Sequence, residues 1–187
     1  MPATILQADF FHKKNIGLDH ILSLREYILS VKDKEPSVDD SNYGCWRSAY
    51  RYQNINWLMQ EVCVLVNEAV EFYKRDQVFS KSLTDRPYKI NYWTNVNNPG
   101  SRNVMHSHSQ SHFSCVYYIQ GTGTGDLRLI NPANILSSSI NSGIFVRDFY
   151  FSPTDGDLIL WPGWIPHEVE PNLSSKQRIN IVFDIIL

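Results

Sequence analysis

Two histidines two positions apart, His106 and His108, are the residues whose type and spacing most directly suggest chemistry in this chain. On a β-strand or an extended loop, residues at positions i and i+2 point to the same face. Two converging imidazoles make half of a typical protein site for iron, zinc, copper or nickel. The pair therefore predicts a metal site, and the rest of the chain must supply a further ligand and a scaffold.

The other histidines differ in how well they could complete such a site. His167 is the only histidine in the last third of the chain, and it follows an apolar segment and a Pro/Gly turn. This position between two predicted strands makes it the candidate third ligand. His112 competes for that role, but it begins a predicted strand and is expected to flank the mouth of the site. His12 and His20 are expected to be ordinary surface histidines.

An arginine, Arg178, begins the last predicted strand, and alternation places Asn180 and Val182 on its face of that strand. An unpaired guanidinium is costly to bury, and a carboxylate bound through two hydrogen bonds is its natural partner. Asp157 or Asp184 could provide that carboxylate internally. We favour a ligand carboxylate, because no acidic residue lies near Arg178 on its own strand.

The elements that must position these residues are two helices followed by short strands. Apolar residues recur at helical spacing after Asp19, a plausible N-cap, and again from Asn54 to about Arg75. The aromatic segment 44–48 has no clear secondary structure, and Asn-Asn-Pro-Gly at 97–100 is typical of a turn. Strand patterns cover 4–10 before the first helix and, after the second, 88–96, 113–119, 127–130, 143–151, 157–161 and 178–186. This order predicts a single domain over 1–187, with helical support at 1–80 and a β core at 86–187 that forms a sandwich or barrel.

Composition limits the possible classes of function. The chain has 187 residues, a net charge of −2 and 19% charged residues, which argues against an electrostatic nucleic-acid binder. Three cysteines without a Cys-x-x-Cys pair predict no disulfide framework and suit a reducing compartment. The first residues do not resemble a signal peptide, and no apolar run approaches the roughly 18 residues of a membrane span. A cytoplasmic protein without membrane contact is expected.

Four motifs together resemble a known family. They are His-x-His at 106–108, Ser-x-Val-Tyr-Tyr at 114–118, Pro-x-x-x-x-His-x-Val at 162–169, and the strand that begins with arginine. In this combination the chain resembles small oxygenases that depend on Fe(II) and 2-oxoglutarate, whose Gly-Trp-Gln-Ser element is similar to the segment 44–48. The segment 166–171 also resembles the distal-ligand segment of the hypoxia-sensing prolyl hydroxylases. The resemblance spans roughly residues 88–184.

The resemblance implies a fold and a set of metal ligands. The fold is mainly β within the α+β class, a double-stranded β-helix (jelly-roll, cupin-like) with N-terminal helices packed on the sheet. His106 and His167 correspond to the two histidine ligands of the family, and His108 takes the place of the usual aspartate or glutamate. A neutral ligand in that place leaves the site one unit more positive than the common site with two histidines and a carboxylate.

The resemblance also implies residues that bind the co-substrate. Arg178 matches the basic residue that holds the distal carboxylate of 2-oxoglutarate, and Tyr118 matches a tyrosine that hydrogen-bonds the same group. Asn180 stands where serine or threonine often follows that arginine, and Asn95 is a further candidate for the pocket wall. Because Tyr117 and Tyr118 point to opposite faces of their strand, only one of them is expected to face the metal.

The activity implied is that of a dioxygenase that hydroxylates an unidentified substrate and releases succinate and CO2. It would use Fe(II), 2-oxoglutarate and O2, and no catalytic residue is expected beyond the metal ligands. The partners expected are a small-molecule or peptide substrate and, as the oligomer, a homodimer. The alternatives are a cupin-type three-histidine metalloprotein, either another dioxygenase or an isomerase, and a non-catalytic domain that binds a metal or a small acid.

Overall fold

The structure is a computed structural model that describes residues 9–38, 42–49, 55–75, 88–131 and 148–187. The helices are a short 3-10 helix at Leu18–His20, α1 at Ile21–Lys32 and α2 at Asn56–Arg75. The strands are β1 Phe11–Lys13, β2 Asn42–Arg47, β3 Lys89–His106, β4 Phe113–Gln120, β5 Leu127–Leu129, β6 Phe149–Phe151, β7 Leu158–Pro162, β8 His167–Val169 and β9 Arg178–Ile186.

These strands form one sheet, in which every described pairing is antiparallel. The order across the sheet is β1-β7-β4-β9-β3-β8-β5-β6, and β2 pairs with β3 beside this path. The sheet curls into a half-barrel with two helices. The last strand in sequence, β9, therefore lies between β3 and β4 in the middle of the sheet.

Strict alternation along β4 and β9 gives the sheet two different faces. Residues such as Tyr117 and Ile181 point toward the helices and are fully buried in the larger apolar cluster. Their neighbours Tyr118 and Asn180 point the other way, into the concave side of the half-barrel. The period of two that the sequence shows in β9 is thus the physical reason that polar groups collect on one side.

Helix α2 covers the apolar face of the sheet. Leu58, Val62 and Leu65 recur at helical spacing and are buried against it together with Tyr117. Burial of each such aliphatic side chain contributes about 1.5–3 kcal/mol to folding. The helices therefore stabilise the sheet from outside and leave its concave side to the polar residues. In the described ranges, neither helix has the combined length and apolar character that a membrane crossing needs.

The predicted turn at 97–100 is wrong, because β3 runs through it without interruption. Four residues of β3 bulge out opposite Gly44, where the register with β2 shifts between Tyr43 and Cys45. Gly100 takes a φ of 82° there, and its N–H donates to the carbonyl of Asn172 at 2.7 Å. A bulge accepts the proline and the left-handed glycine that the sequence pattern assigned to a turn.

The N-terminal region also differs in detail from the sequence prediction. Asp19 lies inside the 3-10 helix and does not cap α1, whose N-cap position is His20 without a side-chain hydrogen bond. The segment 44–48 belongs largely to β2, which pairs with β3. Most of the strand expected at residues 4–10 falls outside the described residues. The division of the chain into one domain with two regions stays a prediction.

Candidate metal centre

Three histidines from two segments of the chain meet on the concave side of the sheet. His106 ends β3 and pairs in register with His167, which begins β8, while His108 lies in the loop after β3. One ring nitrogen from each residue lies within 4.8 Å of the other two. The ring centres of His106 and His167 are 4.4 Å apart. In the described part of the chain this is the only such group of three potential ligands.

Each of these imidazoles has an oxygen acceptor beside its Nδ1 atom. For His106 the acceptor is the carbonyl of Val104 at 2.7 Å, and for His167 it is the carbonyl of Ile165 at 3.1 Å. His108 differs, because its Nδ1 lies 2.8 Å from a carboxylate oxygen of Asp184. A proton on Nδ1 satisfies each acceptor and leaves the Nε2 lone pair available, which is the usual arrangement of a metal-binding histidine.

Burial keeps two of the three rings neutral. It lowers the pKa of His167 to about 3, and the neighbouring charges of His106 and His108 act in the same direction. Burial also lowers the pKa of His106 below its ordinary value. Because metal ligands must be unprotonated, both rings are in the form that binds a cation at neutral pH.

Gly163, in the turn between β7 and β8, holds the histidine loop in place. Its carbonyl accepts the N–H of His108 at 2.8 Å, and its own N–H donates to the carbonyl of His112 at 3.0 Å. A Cβ atom at position 163 would lie 2.3 Å from the carbonyl oxygen of Ser111. Only glycine therefore allows the turn that precedes His167 to approach the loop that carries His108.

A cavity of about 280 Å³ opens beside the histidines. One wall is a row of side chains that crosses four neighbouring strands, from Arg47 through Asn95 and Asn180 to Tyr118. The amide of Asn95 donates to Asn180 at 3.3 Å. Trp161, expected to be a packing residue, is buried on another wall of this cavity. A cavity of this size suits a small polar ligand.

Arg178 lies two residues before Asn180 on the same face of β9 and is completely buried. Its Nη1 atom donates to the carbonyls of Thr124 at 2.7 Å and Glu170 at 3.2 Å, and Nη2 donates to the Asn103 amide oxygen at 3.4 Å. Its Nε has no hydrogen-bond partner among the described residues. Burial lowers the pKa of the guanidinium, and Tyr118 opposes this effect. Asn103 lines the cavity, whereas Arg178 is not one of its lining residues and contacts it through Asn103.

The two carboxylates considered as internal partners of Arg178 are engaged elsewhere. Asp157 accepts the backbone N–H of Thr154 at 2.7 Å and lies 3.1 Å from Nε2 of His12. Asp184 lies beside His108. The described hydrogen bonds of Arg178 therefore go to neutral oxygen atoms.

Tyr118 and Tyr117 separate as alternation predicts. Tyr118 lines the cavity, whereas the hydroxyl of Tyr117 donates to the carbonyl of Ile16 at 2.7 Å on the helical side. Burial raises the pKa of Tyr118, so its phenol stays protonated and can donate a hydrogen bond into the cavity.

The other histidines lie outside the cluster. Nδ1 of His112 accepts the backbone N–H of Leu187 at 3.0 Å. His12 lies beside Asp157, and His20 stacks on Trp57 with ring centres 4.7 Å apart.

Two residues of the site were missed by the sequence reasoning. Asp184 lines the cavity, and its position six residues after Arg178, on the same face of β9, is a signal that the sequence contains. Arg47 also lines the cavity, with its guanidinium carbon 4.4 Å from the ring centre of Trp93. The resemblance of segment 44–48 to the family's Gly-Trp-Gln-Ser element pointed to this part of the chain, but it assigned no role to Arg47.

Comparisons with known proteins show the family of this chain. The model of a family described as "Putative 2OG-Fe(II) oxygenase" matches residues 91–184, just over half of the chain. The chain belongs to this family. This is a family of oxygenases that depend on Fe(II) and 2-oxoglutarate, as the resemblance implied. No curated protein sequence matches the chain.

Solved structures with the same fold include several oxygenases. A prolyl-4-hydroxylase from Pseudomonas putida is 14% identical with a TM-score of 0.63, over 95% of this chain and 91% of that one. A Trichoplax adhaerens prolyl hydroxylase in complex with a hypoxia-inducible-factor peptide fragment is 14% identical with a TM-score of 0.60, over 95% and 83% of the two chains. HygX from Streptomyces hygroscopicus, with nickel and 2-oxoglutarate bound, is 11% identical with a TM-score of 0.60, over 94% of this chain and 82% of that one. These likenesses confirm the predicted jelly-roll fold.

Proposed function

We propose that His106, His108 and His167 bind the Fe(II) of this oxygenase through their Nε2 atoms. Support comes from three ring nitrogens that face one another and from oxygen acceptors at each Nδ1. The low pKa of His167 adds to this, because a neutral imidazole is a good iron ligand. The convergence of the three rings is the observation that carries the proposal.

The co-substrate would lie in the cavity beside these rings. Arg178, whose Nε has no partner within the described segments, would bind the distal carboxylate of 2-oxoglutarate once the Asn103 amide moves aside. The phenol of Tyr118 would donate to the same carboxylate. Asn180 and Asn95 would line the channel between that carboxylate and the metal and orient the molecule by hydrogen bonds.

The bound iron, with 2-oxoglutarate and O2, supplies the oxidising power for hydroxylation of the substrate, with release of succinate and CO2. The chain's own residues hold the reactants and exclude water. Trp161 meets the His167 ring edge-on at a centre distance of 5.0 Å and keeps that side of the site dry. No side chain has to move a proton in this scheme, so we assign no catalytic acid or base.

For the substrate we propose a broad chemical class. Relatives of this fold include a hydroxylase solved with a peptide fragment and HygX solved with hygromycin B, so a peptide or a small molecule is the proposed substrate class. A cytoplasmic location and a homodimer also stay proposals.

Anaerobic addition of 2-oxoglutarate to the Fe(II)-loaded protein tests the proposed function. We expect a visible charge-transfer band and, in air, succinate formation. Arg178→Lys keeps the charge but not the planar fork, and it should weaken 2-oxoglutarate binding roughly tenfold. Arg47→Ala is the matched control, because it removes the other guanidinium near the cavity. Loss of the band in Arg47→Ala but not in Arg178→Lys would make Arg47 the anchor.

The ligand assignment has its own test. His108→Ala should abolish tight metal binding, whereas His108→Asp should retain it by restoring the common ligand set. If metal affinity is unchanged in His108→Ala, His108 is not a ligand.

A second candidate is a metal-binding member of the family that does not turn over 2-oxoglutarate. The observation in its favour is that all three grouped ligands are neutral nitrogens. Tight metal binding without a band and without succinate would support it over the first candidate.

A further inference from the structure

Asp184 is the carboxylate at this site that neither the family motifs nor the sequence reasoning assigns to a function. It lies near the end of β9 and pairs in register with Ser114 of β4. One of its oxygens lies 2.8 Å from Nδ1 of His108 and 3.3 Å from the hydroxyl of Ser114. Its side chain is 19% exposed, and it forms part of the cavity wall.

His108 is thereby distinguished from the other two rings. The Nδ1 atoms of His106 and His167 face neutral backbone carbonyls, which lie two residues before each ring in sequence. Only His108 faces a side-chain carboxylate, and that carboxylate comes from a distant strand. Position 108 is also where the common ligand set of two histidines and a carboxylate has its anionic ligand.

We propose that Asp184 is a positioning residue that acts through His108 and supplies, one hydrogen bond away, the negative charge that a carboxylate ligand would place on the metal. This inference rests on the proposed function, in which His108 binds iron. The carboxylate accepts the Nδ1 proton of His108, which directs Nε2 to the metal and makes the imidazole a stronger donor. The histidine and Asp184 together then carry the charge of the usual third ligand.

The partners of Asp184 fit this role. The hydroxyl of Ser114 donates to the same oxygen, which fixes the carboxylate against the ring. Trp93 stacks on the His108 ring, with centres 5.9 Å apart and planes 25° apart. The ring therefore contacts both an aromatic surface and an anion.

The test uses Co(II) as the metal, titrated into the full chain under anaerobic conditions. Asp184→Asn keeps the size and an oxygen acceptor but removes the charge, and it should raise the Co(II) dissociation constant about 10- to 100-fold. Ser114→Ala is the matched control, because it removes a hydrogen bond from the same oxygen and leaves the charge. It should raise the Co(II) dissociation constant only about two- to threefold, the low end of what one hydrogen bond contributes, because the carboxylate charge stays beside His108.

Repeating the Asp184→Asn substitution in a His108→Asp protein shows whether Asp184 acts through the imidazole. In His108→Asp there is no Nδ1–H for Asp184 to accept, so adding Asp184→Asn should change the dissociation constant by no more than about twofold. An equal loss in both backgrounds would mean that Asp184 acts directly on the metal, and it would overturn the positioning role.

A spectroscopic measurement keeps the proposal testable if His108→Asp does not bind metal. In ¹H–¹⁵N spectra of the Zn(II)-loaded protein, Asp184→Asn should shift the Nδ1–H signal of His108 and leave those of His106 and His167 in place. Unchanged affinity and an unchanged spectrum in Asp184→Asn would refute the inference while leaving the proposed function intact. Failure of the parent protein to bind any metal would instead refute the proposed function.

Discussion

Replacing Gly163 by alanine should disturb the metal site without touching any proposed ligand. The added Cβ would lie 2.3 Å from the carbonyl oxygen of Ser111 and 2.9 Å from that of His108. Real Cβ atoms essentially never approach closer than 3.0 Å, so the two segments must separate by about 0.7 Å. Binding sites tolerate displacements of only about 0.5 Å.

The expected loss of metal affinity in Gly163→Ala follows from this displacement. His108 is held by the hydrogen bond from its N–H to the Gly163 carbonyl, so it moves with the loop. We expect metal affinity to fall about 10- to 100-fold, as for loss of a group that orients a ligand. Overpacking should also lower the free energy of unfolding by about 1–3 kcal/mol.

Gly123→Ala is the control for backbone effects. Gly123 has a φ of 73°, and nothing lies within 4 Å of an added Cβ. Its replacement should lower the free energy of unfolding by about 1–2 kcal/mol, because an L-residue is strained in the left-handed region. Metal affinity should not change. Metal titration and urea unfolding of both variants provide the assay, and parent-like metal affinity in Gly163→Ala would refute the reasoning.

Three further results are expected. In the metal-free protein, burial lowers the pKa of His167 to about 3 from the usual value of about 6.5, so the unfolded chain binds more protons between these pH values. Stability in urea should therefore fall as the pH drops below about 6.5, with a His167 contribution approaching about 1.4 kcal/mol per pH unit, and a flat profile would contradict this. Tyr118→Phe should raise the KM for 2-oxoglutarate about tenfold, the worth of one hydrogen bond, with Fe(II) affinity unchanged; a parent-like KM in succinate assays would remove Tyr118 from the carboxylate site. His112→Ala should leave the Fe(II) dissociation constant within about twofold, and a larger loss would return it to the candidate ligands.

The parts of the fold that could be predicted from the sequence are those fixed by local periodicity. The alternation in β9 correctly placed Arg178 and Asn180 on one face, and the apolar spacing correctly located α2. The family resemblance then supplied the architecture that local patterns left open between a sandwich and a barrel.

The features that could not be predicted from the sequence depend on contacts between distant segments. Nothing near His108 in sequence indicates that its Nδ1 faces Asp184, because that pair forms only when β9 inserts into the sheet. The Asn-Asn-Pro-Gly segment is typical of a turn, yet its pairing partners hold it within β3 as a bulge. The need for glycine at position 163 likewise comes from the close approach of two loops. The residues next to Gly163 in sequence do not indicate that approach.

The central position of β9 has a consequence for the order of folding. This strand pairs Ile186 with Lys89 on one side and Ile185 with Phe113 on the other, so its contacts are far apart in sequence and form slowly. It also carries Asp184 beside His108. An intermediate that lacks β9 would contain all three histidines but neither the anion nor the central strand that supports them. Bound metal would then stabilise the native state mainly by slowing its unfolding, because the complete site does not exist earlier on the folding pathway.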